Sequence, residues 1–62
     1  MNNLKCLREE KNISQMQLAL KMGVSQQAVA KWETGESFPR AEKLIQLAEV
    51  LNCTIDELLK GA

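Results

Sequence analysis

Only three residues, Gly23, Val24 and Ser25, separate two stretches of helix-forming composition, Gln15–Met22 and Gln26–Thr34. A connection that short forces the two helices across one another at a steep angle, and the crossing point needs a small side chain. Ala19, four positions before Gly23, provides it. Gly23 can take the positive φ that ends the first helix, and Ser25 is placed to cap the second. Leu18, Met22, Val24, Val29 and Trp32 supply the apolar contacts that would hold the angle.

The rest of the chain reads as further short helices. Strand signals are nearly absent, with no sustained alternation of β-branched residues. Leu4 and Leu7 lie one turn apart and Asn12 suits a left-handed helix end, so a first helix is predicted over residues 3–11. Ser14 with Gln17 forms a capping box for the second helix, with Ile13 and Leu18 as its hydrophobic staple. Val24 and Val29 repeat the staple for the third helix, which stops at Gly35. A loop, ESFP, leads to Arg40. Leu44, Leu47, Ala48 and Leu51 then mark one face of a fourth helix. Thr54 with Glu57 makes a second capping box, stapled by Cys53 and Leu58, and opens a fifth. With no repeat, linker or low-complexity segment, the expectation is one all-α domain, a compact five-helix unit spanning residues 1–62.

Composition removes several function classes. A chain of 62 residues buries only about 60% of the surface that its unfolded form exposes, so close helix packing must carry its stability. Two cysteines, Cys6 and Cys53, and no histidine cannot make the four-ligand site of a structural zinc, and no metal or cofactor is expected. Nothing resembles a secretory leader or a membrane span, so a reducing cytoplasm is the simpler setting. Met1 and the ending Gly61 and Ala62 are expected to bound a complete small protein. No enzyme is expected, because histidine, a glycine-rich phosphate loop and paired carboxylates with a cleft are all missing from the pattern.

Charge is neutral in total but unevenly spread. Residues 1–43 hold seven basic and five acidic side chains, whereas residues 44–62 hold one basic and three acidic. Such a split can present one electropositive face, although ordinary helix-surface charge explains it as well.

The crossed pair is the pattern of a helix-turn-helix, whose second helix lies in the major groove of DNA. On a wheel of Gln26–Thr34, Ala28, Val29 and Trp32 fall on the inward side. Gln26, Gln27, Ala30, Lys31 and Thr34 fall on the other, a face without an acid. A glutamine amide pairs bidentately with adenine, and a lysine reaches guanine or phosphate. The competing reading of the same face is a solvated surface of good helix formers. Gln15 opens the second helix, whose N-terminus offers free N–H donors to an anion.

The segments LREEKNISQMQLALKMGVSQQAVAKWETGESFP and LIQLAEVLNCTIDELL cover nearly the whole chain. Their signature is SQ-x-x-LA, G-V-S, W-E-x-G, a proline, then L-x-x-LA-x-x-L. It resembles the Cro/CI-type (XRE-like) helix-turn-helix regulators of phage and bacteria. The resemblance implies a lambda-repressor-like fold and a sequence-specific transcriptional regulator of double-stranded DNA, expected to be a repressor. It further implies that Gln26, Gln27 and Lys31 read bases and that Gln15 clamps a phosphate while bracing the recognition helix. Ser14, Ser25, Thr34 and Arg40 become backbone candidates, with capping as the competing role for the two serines and the minor groove as the competing target for Arg40. Arg8 and Glu33 match a structural pair tying the first helix to the third; the competing reading leaves Arg8 free for phosphate. Trp32 is expected in the core. The chain departs from many members of that family, which carry Ser, Thr or Asp after the proline, in placing Arg40 at this helix N-cap, and Glu36 and Glu42 lie near the expected phosphate path.

One recognition helix reads only about four or five base pairs, so a homodimer on half-sites about 34 Å apart is expected. Leu51, Ile55 and Leu59 are candidates for a self-complementary apolar patch, or else they close the core over the first helix. No small-molecule effector and no membrane partner is indicated. The alternative function is a protein-interaction or antitoxin-like accessory module on the same fold. Such a module should carry acids or large apolar residues on the face that Gln26 and Lys31 occupy.

Overall fold

Local sequence decides where each helix stops and starts, and tertiary packing then brings the five together. The structure, a computed structural model, describes residues 2–60, so Met1, Gly61 and Ala62 lie outside the described residues. The helices are α1 (Asn2–Glu10), α2 (Gln15–Met22), α3 (Gln26–Thr34), α4 (Ala41–Val50) and α5 (Ile55–Leu59). No strand occurs among the described residues. α1 starts and ends one residue earlier than predicted; the others follow the sequence reading.

Both capping boxes and the Ser25 cap are formed. Ser14 accepts the Gln17 N–H at 3.0 Å, while the Ser14 N–H donates to the Gln17 side chain at 2.8 Å. Thr54 and Glu57 make the same reciprocal pair at α5. Those hydrogen bonds, first from the Thr54 backbone and then from its hydroxyl, hold the Glu57 carboxyl below its usual range. A lowered carboxyl of this kind favours the fold at neutral pH, and that contribution fades as pH falls through its titration. Gly23 and Gly35 take left-handed φ of 70° and 83°. Asn12 does so at 57°, as predicted. Asn52 ends α4 in the same way at 52°, which the sequence reading did not anticipate. Arg40 occupies the N-cap of α4 without any side-chain cap bond.

α2 packs on α3 and α4, α1 packs on α3 and α5, and α4 packs on α5. Leu4, Leu18, Ala19, Met22, Val29, Trp32, Leu47, Leu51 and Leu58 form the core where these faces meet. Val24, Ala28, Leu44 and Cys53 pack against its edge. Burial raises the Cys53 thiol above its ordinary range, and Glu57 adds to the rise. One expectation is corrected here. Leu51 is 0% exposed, because it fills the centre of the core, and it cannot face a second copy. Of the apolar patch, only half-buried Ile55 and exposed Leu59 reach the surface.

Candidate nucleic-acid interface

The short turn after α2 fixes where α3 begins. Gly23 closes α2 through N–H bonds to the carbonyls of Ala19 and Leu20, and Val24 donates to Ala19 at 3.0 Å. Ser25 then caps α3, its hydroxyl oxygen accepting the Ala28 N–H at 3.1 Å. Val29 and Trp32 sink into the core, and Ala19, itself buried, allows the close approach of α2 and α3. Those anchors turn Gln26, Gln27 and Lys31 outward, where all three are exposed. Ala30, between them, is half-buried and leaves a shallow floor.

The backbone candidates differ in what their side chains already do. Ser14 and Ser25 are exposed and both cap a helix. A cap bond uses an oxygen lone pair, so each hydroxyl hydrogen can still donate to an anion. Capping and phosphate contact are therefore compatible roles. Thr34 donates its hydroxyl to the Lys31 carbonyl at 3.2 Å, which closes the last turn of α3. Arg40 is exposed at the start of α4 and spends nothing on capping.

Beneath the exposed row runs a connected polar chain. Arg8 Nε donates to Glu33 Oε2 at 2.7 Å, and Arg8 Nη1 donates to the Ile13 carbonyl at 2.7 Å. The two side chains are 10% and 5% exposed. The pair ties α1 to α3 as expected, and it consumes Arg8, so the reading of Arg8 as a free phosphate ligand is set aside. Glu33 Oε1 also accepts from Gln15 Nε2 at 2.9 Å. Gln15 Oε1 in turn faces Gln26 Nε2 in a loose contact at 3.5 Å. The brace expected of Gln15 is present, and it runs through Glu33. No buried side-chain nitrogen or oxygen among the described residues lacks a partner, as a low-dielectric site demands.

Two features were not foreseen from spacing. Lys43 Nζ donates to the Met22 carbonyl at 2.9 Å, placing an ammonium at the negative end of α2 where the helix dipole favours it. Only the packing of α4 on α2 reveals this, because the residues lie far apart in the chain. Glu36, from the turn after α3, also comes within 3.9 Å of Lys31, with side chains 66% and 56% exposed. The outward face of α3 contains no acid, its one carboxylate, Glu33, being turned inward to Arg8, but the following turn brings one beside it. A pair this exposed contributes little to stability, so Lys31 can leave Glu36 for a stronger anion.

Comparison with known proteins places these features in context. A family model described as Helix-turn-helix matches residues 4–58. The chain is 45% identical over 58 residues to the HTH-type transcriptional activator BcrR of Enterococcus faecalis, covering 94% of this chain and 28% of that protein. It is 38% identical over 58 residues to repressor protein C2 of Salmonella phage P22, covering 94% of this chain and 27% of that protein. The chain thus spans about a quarter of the length of these two curated relatives. Its fold is similar to the crystal structure of the P22 c2 repressor in complex with the synthetic operator 9T. The TM-score is 0.86 at 37% identity, covering 95% of this chain and 89% of that one.

Proposed function

The chain belongs to the helix-turn-helix family, of the Cro/CI (XRE) type, and from that premise we propose that it is a sequence-specific DNA-binding transcriptional regulator acting as a repressor. α3 enters the major groove of double-stranded DNA, and the protein works by binding rather than catalysis. The observation that carries this reading is the composition of the outward face of α3. Core contacts, caps and the ion pair to Arg8 account for Ser25, Ala28, Val29, Trp32, Glu33 and Gly35, whereas Gln26, Gln27 and Lys31 present hydrogen-bonding groups with no packing task. Gln26 and Gln27 offer the donor and acceptor that adenine requires, and Lys31 suits guanine or phosphate. Gln15, Ser14, Ser25, Thr34 and Arg40 line the face with groups suited to the phosphate backbone.

The fold similarity to an operator-bound repressor supports repression, although BcrR shows that a relative can activate. The reading includes a homodimer. The principal extents are 24, 23 and 20 Å, so one copy spans less than the roughly 34 Å between half-sites. Ile55 and Leu59 on α5 are the residual apolar contact for the second copy. A cytoplasmic site of action follows from the DNA target. No helix among the described residues is long and apolar enough to cross a membrane.

Two substitutions separate base reading from backbone contact. Gln27→Ala should weaken the preferred site by about 1–3 kcal/mol and relax one base position. Arg40→Ala should weaken all sequences alike and shallow the salt slope by about one. Binding of randomised duplexes by each variant checks both. A uniform loss from Gln27→Ala would mean that this residue touches only the backbone.

A further inference from the structure

We propose that Glu33 is a specificity-determining positioning residue, setting through Gln15 the hydrogen-bonding polarity that Gln26 presents to DNA. The inference rests on the base-reading role of Gln26 proposed above. The direction of the chain follows from chemistry at its fixed end. Arg8 can only donate, and its guanidinium is committed to Glu33 and to the Ile13 carbonyl. An ionised carboxylate can only accept. Glu33 therefore compels Gln15 to point its Nε2 inward, at 2.9 Å. Gln15 must then show its carbonyl oxygen to Gln26, whose Nε2 faces it at 3.5 Å.

This ordering leaves Gln26 one N–H and its carbonyl oxygen for the groove. Adenine shows N7 as acceptor and N6–H as donor, matching that pair. Guanine shows two acceptors, N7 and O6, and its O6 would meet the Gln26 carbonyl. The chain thus selects adenine over guanine at the base that Gln26 faces, although Glu33 touches no DNA itself.

Glu33→Gln reverses the chain instead of merely loosening it. Arg8 holds the new carbonyl, so the new amide nitrogen points at Gln15. Gln15 turns its carbonyl inward to accept and offers its Nε2 to Gln26. Gln26 then accepts through its carbonyl and shows its amino group to the groove, which suits guanine. Gln15→Met cuts the chain one link later and leaves the Arg8–Glu33 pair intact, so it reads the same effect without disturbing that pair.

The test is selection from duplexes randomised across one half-site, using the wild-type chain, Glu33→Gln, Gln15→Met and Gln26→Ala. Gln26→Ala marks the position concerned by abolishing its preference. Wild type should favour adenine over guanine there by roughly 5- to 140-fold. Glu33→Gln should cut that ratio about tenfold or more, with guanine gaining. Gln15→Met should flatten the preference at that position, and both variants should leave the positions read by Gln27 and Lys31 unchanged. Unaltered preferences with only a uniform loss of affinity would overturn the proposal and leave Glu33 a structural residue. So would a wild-type preference for guanine at that position. Failure of the wild-type chain to enrich any sequence would overturn the DNA reading itself, a distinct result.

Discussion

Arg8→Ala should leave much of the protein unfolded, at a cost of about 3–5 kcal/mol. Removing the guanidinium strands the Glu33 carboxylate, whose side chain is only 5% exposed, and orphans the Ile13 carbonyl that Arg8 Nη1 satisfies. A buried charge without its partner is among the most costly defects a small domain can carry. At about 0.05–0.15 kcal/mol per residue, a domain of 62 residues has little beyond that to lose. Urea denaturation followed by Trp32 fluorescence measures the loss. The double substitution Arg8→Met with Glu33→Met removes both charges and should be less damaging than Arg8→Ala, since an apolar replacement strands no ion. An Arg8→Ala midpoint equal to that of the wild type would mean that the pair contributes nothing to the fold.

Leu18→Ala is the other large effect, expected to cost about 2–5 kcal/mol. Leu18 is fully buried where α2 meets the rest of the core, and its truncation removes transfer energy and leaves a cavity. α2 holds α3 at its working angle, so DNA affinity should fall along with thermal stability. Leu20, two residues on, is 75% exposed, and Leu20→Ala should stay within about 0.5 kcal/mol of wild type. Equal effects of the two substitutions would contradict the helix phase described for α2.

The sequence made the helix ends legible because their signals are local. Ser14 with Gln17, Thr54 with Glu57, and the glycines at 23 and 35 each act within one turn, so short-range chemistry sufficed. The inward set of Val29 and Trp32 was legible because helical periodicity is strict. The Arg8–Glu33 pair was found by combining resemblance with the cost of burying a carboxylate. What escaped was long-range. The Lys43 bond to the Met22 carbonyl, the extension of the Arg8–Glu33 pair into Gln15, and Glu36 beside Lys31 all depend on how elements dock or how a turn folds back. Leu51 shows the same limit from the other side. Its spacing fitted both a core face and a surface patch, and only the packing of α4 and α5 shows that it is buried. Arg40 was legible as a weak cap because its side chain cannot accept the bonds that a helix N-terminus donates.

The central claim is that the outward face of α3 reads DNA. It is tested most directly by selecting genomic DNA fragments on the wild-type chain at two salt concentrations. The account predicts that a defined set of related sequences is enriched. Their binding should weaken steeply with salt, with a logarithmic slope near −0.9 for each phosphate neutralised. Enrichment of nothing above background, or binding indifferent to salt, would contradict it.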